Sequence, residues 1–393
     1  MAAQWRFWRK WLTEDAQSPS VNWSLGPGAF LSYDELLKHT TSLPEDLQQV
    51  LSLEPLPAGS PLFVLNQQAR QQLHQQLLRW QQGGVANIAL IGPEGVGKTT
   101  LLNQLEADIE QDILVQRLSV PERIRSEPDL LRFFAKAFAL QDCRDVPSLC
   151  EQLEGLSPRV ILLDEAALLN LRVLDAGVVL RALWRIMLAS RHLAWVHVWP
   201  EQTWRRIKWQ WQLEPLVSQE INLPWPNQEE FLHALQVRFA LLKGQDRDLW
   251  WQAVDALPAR PFDLQHEGLT ALYKPCQGNF FSAVYAALCA LHRDVDGRIW
   301  LRGFRIPEQI SLQNVDARTR LTLAEIMAHG ALSAAEHAEI FQQSADNSAW
   351  LLGALQARQW LLHDQLGEQE VFRINPLFAR SLLTALRSAN ALY

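Results

Sequence analysis

Between residues 87 and 226, short apolar runs alternate with longer amphipathic stretches. The runs at 87–91, 113–118, 159–164, 193–199 and 219–223 are too short for helices and dominated by aliphatic and aromatic residues. They predict strands, and helical periodicity fills the gaps between them. Strands alternating with helices predict a parallel sheet covered on both faces, an α/β fold. Upstream, residues 66–82 form a glutamine-rich helical pattern whose apolar face carries Leu73, Leu77 and Leu78. Beyond Pro224-Trp225-Pro226 the strand pattern stops. Helical patterns at 228–243, 246–256, 262–273 and 280–292 predict a compact four-helix unit, with Asn227 and Glu230 capping its first helix.

The last section follows a third pattern. Helical stretches at 318–328, from Ser333 and Glu336 to 341, and at 347–358 precede two strand-like runs, 360–364 and 371–374. A turn at Leu366-Gly367 joins the runs, and a final helix follows Asn375-Pro376. Three helices and a two-stranded ribbon outline a winged helix. At the other end, Trp5, Trp8 and Trp11 stand at i, i+3 and i+6 beside Arg6, Arg9 and Lys10, an aromatic stripe if helical. A short helical pattern at 33–53 and a Pro/Gly-rich hinge at 56–62 follow. The expected division is an N-terminal extension at 1–55, the sheet domain at 56–226, the helical unit at 227–304 and the winged helix at 305–393.

Composition narrows the class. The 393 residues are 48% hydrophobic and 20% charged, which excludes wholesale disorder. A net charge of −7 argues against a generally basic, phosphate-coating protein while leaving a local basic patch open. No apolar run reaches the roughly 18 residues of a membrane span, and the first residues lack the apolar core of a secretion signal. Cys143, Cys150, Cys276 and Cys289 form no CxxC pair, and the ten histidines show no ligand spacing. A cytoplasmic protein is expected. Tryptophan is over-used, 17 against 15 Phe and 4 Tyr, with seven between Trp184 and Trp225. These serve either a Trp-favouring core or partner anchors.

The chemistry concentrates at residues 92–99, Gly92-Pro93-Glu94-Gly95-Val96-Gly97-Lys98-Thr99, a GxxxxGK[ST] phosphate loop. Gly92, Gly95 and Gly97 let the backbone turn its N–H groups inward as an anion nest, and Lys98 brings a point charge to the β- and γ-phosphates. Thr99 offers a hydroxyl to Mg²⁺, Thr100 extends the binding stretch, and the helix starting here aims its positive end at the anion. The run Val160-Ile-Leu-Leu-Asp164-Glu165 is an apolar strand ending in two acids. Asp164 then shares in ordering Mg²⁺, and Glu165 polarises the attacking water as general base. Lys98, Asp164 and Glu165 are the catalytic candidates.

A glycine-rich loop, a strand ending Asp164-Glu165, a helical lid and a winged helix resemble the AAA+ ATPases, in particular their initiator-type branch and the related STAND switch ATPases. By this resemblance Leu62, Phe63 and Val64, just before the helix at 66–82, line an adenine pocket, and the cofactors are ATP and Mg²⁺. Departures from the family pattern are as informative. The strand at 193–199 ends without the usual polar sensor, for which His197, Gln202 and Thr203 are weak substitutes. No arginine stands at 214–218, where a trans-acting one belongs, leaving Arg205 and Arg206 as nearby candidates. The lid reads Gly278-Asn279-Phe280-Phe281, with phenylalanine where relatives carry an arginine. Retained Lys98, Asp164 and Glu165 without these arginines imply tight binding and slow intrinsic hydrolysis.

Residues 307–393 hold six arginines, no lysine and nine acids. This balance favours a winged helix that binds protein over one that binds DNA. The counter-signal is Trp204-Arg-Arg-Ile-Lys-Trp-Gln-Trp211, which interleaves cations and aromatics as single-strand binders do, although Arg205, Arg206 and Lys208 equally suit a solvated helix face near a subunit contact. The leading expectation is an oligomeric, Mg²⁺-dependent ATPase switch or loader for a protein partner, contacted through the winged helix and Trp-rich segments. A nucleotide-dependent DNA-binding loader or transposition-type regulator and a non-hydrolysing ATP-bound scaffold are the alternatives.

Overall fold

The structure, a computed structural model, describes residues 33–41, 43–109, 113–173, 177–243, 249–252, 260–261, 269–293, 298–302, 304, 306 and 309–392. The tryptophan stripe at 5–11 lies outside the described residues. Five parallel strands form the central sheet: β1 (Asn87–Gly92), β2 (Leu114–Ser119), β3 (Arg159–Asp164), β4 (Ala194–Pro200) and β5 (Gln219–Asn222), in the order β2-β3-β4-β1-β5. Register places Asn87 opposite Trp195, Ile88 opposite Gln219 and Ser119 opposite Asp164. All five strands match the apolar runs of the sequence.

Continuous apolar strands arise because both faces are covered. Successive residues then serve opposite cores. Ile88, Leu90, Val160, Leu162, Val196 and Val198 pack on one face with Leu73 and Leu77 of α3 (Gln67–Gln81) and Leu101 and Leu105 of α4 (Lys98–Asp108). Ala89, Ile91, Ile161, Leu163, Trp195 and Trp199 pack on the other, with Phe134, Leu183 and Trp204. Leu78, expected inside, is exposed, and Trp80 takes its place in the core. Trp184, Trp195, Trp199 and Trp204 are all buried, so four of the seven tryptophans between Trp184 and Trp225 build the core.

The lid departs from the expectation of four helices. Gln228–Lys243 is a helix, capped reciprocally by Asn227 and Glu230, and Leu269–Cys276 and Phe280–Ala290 are helices. Residues 249–252, expected to be helical, are instead a strand, part of a four-stranded sheet with Arg260–Pro261, Leu291–Arg293 and Ile299–Arg302. The helix expected at 262–273 is described only from Leu269, and the one expected to reach 292 gives way to a strand at Leu291. Apolar runs this short carry no decisive period, and strand pairing between Leu249 and Ile299 settles them. The described part of the expected extension packs on this unit: Leu36, Leu43, Leu47 and Leu51 share a core with Phe231, Leu235, Phe239 and Tyr285.

The C-terminal unit has the winged-helix arrangement. Helices α12 (Ala317–His329), α13 (Ala334–Phe341) and α14 (Ala345–Ala357) precede the antiparallel ribbon β10 (Leu361–Leu366) and β11 (Gln369–Ile374) and a last helix, Ala379–Ser388. Ser333 and Glu336 form the expected capping box. No helix among the described residues is long and apolar enough to cross a membrane.

Candidate nucleotide site

The loop between β1 and α4 lies at the carboxyl edge of the sheet, beside the end of β3, where open α/β sheets bind ligands. Gly95 and Gly97 adopt φ of +79° and +93°, left-handed conformations that disfavour a side chain. Gly92 is required for a different reason than turning: a Cβ there would lie 2.8 Å from Val96 Cγ1. Lys98 Nζ donates to the carbonyls of Gly92 (3.0 Å) and Pro93 (2.8 Å), so the ammonium is held over the loop. Asn66 Nδ2 donates to the Val96 carbonyl at 3.0 Å, tying the segment before α3 to the loop. The Thr100 hydroxyl accepts from the Leu56 N–H and works as an anchor for that same segment.

Leu62, Phe63 and Val64, residues Glu94 to Thr100, Asp164 and Glu165 line one cavity of about 260 Å³. Gly92 and Pro93 stand behind it as acceptors for Lys98. The lid closes the far side with Trp225, Phe280, Phe281 and Arg238. Asp164 is buried at the end of β3, and its carboxylate accepts from the Glu165 N–H and from Arg117 Nη2, both at 3.0 Å. Glu165 has φ of 57°, an unusual backbone for a non-glycine residue, which turns its side chain into the cleft mouth. There its carboxylate accepts from Arg373 Nη1 of β11 at 3.2 Å. Burial pushes the Glu165 carboxyl above its ordinary value; Arg373 opposes this, and Glu94 and Asp164 add to it.

The sensor candidates have other duties. His197 is buried between Asn87 Oδ1 and the Trp199 indole N–H, and Thr203 Oγ1 donates to the Ala328 carbonyl. Gln202 borders a small separate cavity with Pro93, Glu94 and Leu383. Arg206 is paired with Glu325, Arg205 with Glu201, and Lys208 with Glu214 and Glu220. The Trp204–Trp211 helix is thus a neutralised face, with only Trp209 strongly exposed, at 86%.

Asn66, Arg117, Arg238 and Arg373 were not legible as site residues. For Arg238 a signal exists: it interrupts the buried stripe Phe231-Leu235-Leu242 at a core-facing position. It is 5% exposed, its Nη1 donates to the Val50 carbonyl, and its guanidinium lies 5.3 Å from the Phe280 ring centroid. Its Nε has no hydrogen-bond partner among the described residues, and burial lowers its pKa to about 10. A buried cation with an unpaired donor at a cavity wall suits an anionic ligand. The left-handed glycines and Lys98 suit a phosphate chain in the same way. Among the described residues no group of three or more His, Cys, Asp or Glu side chains could hold a metal unaided. Magnesium here would depend on Thr99, Asp164 and the phosphates together.

Residues 82–207 match the family model of the AAA domain. No curated protein matches the sequence. Among solved structures, the ORC2 protein of Aeropyrum pernix with ADPNP and ADP is 14% identical, covering 88% of this chain and 98% of its own, with a TM-score of 0.44. Cdc6p of Pyrobaculum aerophilum is 15% identical over 87% and 98%, with a TM-score of 0.42. A Walker-type ATPase of Pyrococcus abyssi is 11% identical over 85% and 99%, with a TM-score of 0.43. At these scores the overlaps are likenesses and bear no further weight. The phosphate loop, the acid-tipped strand and four of the five sheet strands, β5 excepted, lie inside the matched segment, so residues 82–207 of the chain are similar to an AAA domain.

Proposed function

We propose that this protein is a cytoplasmic, Mg²⁺-dependent ATP-binding switch of the AAA+ type, slow in intrinsic hydrolysis, that controls its contact with a protein partner in an oligomeric assembly. The observation that carries this reading is the walling of one cleft by three parts of the chain. Position 95 makes the point: a Cβ there would lie 3.7 Å from Pro376 and 3.8 Å from Phe281, so the ribbon's exit and the lid both reach the phosphate loop. What occupies the cleft therefore bears on how all three parts sit.

In this reading Lys98 and the loop N–H groups bind the β- and γ-phosphates, Thr99 and Asp164 hold the metal, and Leu62, Phe63 and Val64 flank the base. Magnesium, when bound, supplies positive charge against that developing on the phosphate oxygens. Glu165 accepts the proton of the attacking water at its carboxylate. Phe280 and Phe281 provide no charge, and an arginine supplied in trans is worth about 10³–10⁵ in rate, so turnover is expected to be low until a partner supplies one.

The outer surface of α14 favours a protein partner over DNA. Ala345, Asp346, Asn347, Ala349 and Trp350 are exposed there, while the helix's one neighbouring cation, Arg358, lies over Trp360. Binding of a fluorescent adenine nucleotide by the parent and by Lys98→Ala tests the reading. Submicromolar to micromolar binding lost in the variant is expected, and equal binding by the two would end it. A Glu165→Gln variant should still bind and should retain partners from native cells; phosphate release unchanged in that variant would remove the catalytic role.

A further inference from the structure

The family arginines are missing from the lid and from the segment before β5, yet one arginine from another part of the chain reaches Glu165, which lines the cleft. Arg373 on β11 donates from Nη1 to Glu165 Oε2 at 3.2 Å and from Nε to Asp364 Oδ2 at 2.9 Å. We propose that Arg373 is the cis-acting cation of the phosphate site: it positions Glu165 in the free cleft and is the group through which the C-terminal unit reads a terminal phosphate. This rests on the nucleotide reading above.

The delivery is built. Leu332 and Phe372 exchange both backbone hydrogen bonds, at 3.1 and 2.9 Å, fixing β11 one residue before Arg373. Three residues later, the Pro376 carbonyl accepts from Asn279 Nδ2 of the lid at 2.7 Å. The whole unit is held to the sheet by Arg123, which is buried and donates to Glu336 on α13, to the Ala331 carbonyl, and to the Ala167 and Asn170 carbonyls just after Glu165. Asp364 meanwhile holds the guanidinium at Nε, leaving Nη1 for Glu165, which lines the cleft. Glu94 of the phosphate loop adds a further acid nearby, and Glu165, Glu94 and Asp364 together outweigh burial in raising the Arg373 pKa.

The pair is also exchangeable. The side chains of Arg373 and Glu165 are 23% and 39% exposed, so a ligand oxygen has access to the pair. A guanidinium binds phosphate oxygens as readily as a carboxylate, and does so bidentately. Arg373 can therefore trade Glu165 for a terminal phosphate at small cost, which releases the Glu165 carboxylate toward water and draws on β11. A diphosphate, lacking that terminal group, leaves the Arg373–Glu165 pair in place. The C-terminal unit thereby distinguishes ATP from ADP through one side chain.

The test uses the full chain and measures equilibrium affinity for fluorescent ATP and ADP, together with hydrogen exchange across residues 361–374. Arg373→Ala should lower the preference for ATP over ADP about tenfold, the size of a lost charge-assisted hydrogen bond, while leaving ADP affinity near the parent's. Arg373→Lys should recover part of it. In the parent, exchange in the ribbon should respond to ATP and not to ADP, and Arg373→Ala should abolish that difference. If Arg373→Ala does not fold, Asp364→Asn, which frees the guanidinium, should lower the same preference by a smaller factor. An unchanged ATP/ADP ratio with an unchanged exchange response in the folded variant overturns the proposal. Loss of all nucleotide binding in the parent fails the underlying reading instead, so the two failures are distinguishable.

Discussion

Two buried arginines divide the molecule into a region that is finished and a region that waits. Arg123, at the joint between the sheet and the C-terminal unit, finds a carboxylate and three carbonyls. Arg238, in the lid helix, has among the described residues one carbonyl and an aromatic face, and its Nε has no hydrogen-bond partner there. Burial lowers the pKa of both. A buried charge is tolerated when its hydrogen bonds are complete and costly when they are not. The complete one therefore reads as structure. The incomplete one, at the wall of a cavity, reads as a place for a ligand to finish.

The sharpest way to break this comparison is to remove both. Arg123→Met strands Glu336 and three carbonyls in the interior, so an equilibrium urea melt should show a loss of about 3–5 kcal/mol. A loss below about 1 kcal/mol would mean that the joint is not held there. Arg238→Met should leave stability within about 1 kcal/mol, because it removes an unsatisfied buried charge while keeping apolar bulk. Its effect should instead appear as a fall of about tenfold or more in nucleotide affinity by titration. If the two variants behaved alike, the distinction would be gone.

Acid should sharpen the contrast at the same joint. His329 donates from Nδ1 to the Glu325 carbonyl and accepts at Nε2 from the Arg172 N–H, an arrangement that holds it neutral. Burial pushes its pKa down to about 4, with Arg123 and Arg206 adding and Glu325 opposing. Buried His337, pushed to about 4, and His197, pushed to about 3, behave likewise. Each folded value lies below the ordinary one near 6.5, so the unfolded chain takes up protons first. Their contribution is intact above pH 6.5 and is lost as pH falls toward 4, at up to about 1.4 kcal/mol per histidine per pH unit. Melts of His329→Gln should have a shallower slope across that window by close to one proton. The smallest effect belongs to Trp209→Ser, which should change stability by no more than about 0.5 kcal/mol, since the ring is exposed.

The sheet was legible in the sequence because its information is local. Alternate residues of Ile88–Ile91 and Val160–Leu163 serve opposite cores, so each is a short continuous apolar run, and such a run between longer amphipathic stretches is visible without any partner. The phosphate loop was legible because its glycines and lysine lie close together at fixed spacing, from Gly92 to Lys98. The pairing of Glu165 with Arg373 spans 208 positions, and no spacing rule reaches that far. Arg117, 47 residues before Asp164, was hidden for the same reason. The lid strands were hidden differently, since Leu249–Gln252 acquires its conformation from pairing with Ile299–Arg302 rather than from its own pattern. The Trp204–Trp211 segment left two readings open because the acids that neutralise its cations, Glu214, Glu220 and Glu325, lie outside it.

The seam that joins Leu47, Phe239 and Leu386 in one apolar cluster has a consequence for how the molecule is made. The helix Glu45–Val50 leaves the ribosome long before its companions, and the arginine that grasps Val50 comes 188 residues later. At about 5–20 residues per second, the nascent segment must wait roughly 10–40 s with its leucines uncovered. Biogenesis thus falls to whatever shelters that early stretch, and a chaperone requirement would trace to the order of translation rather than to any weakness of the finished protein.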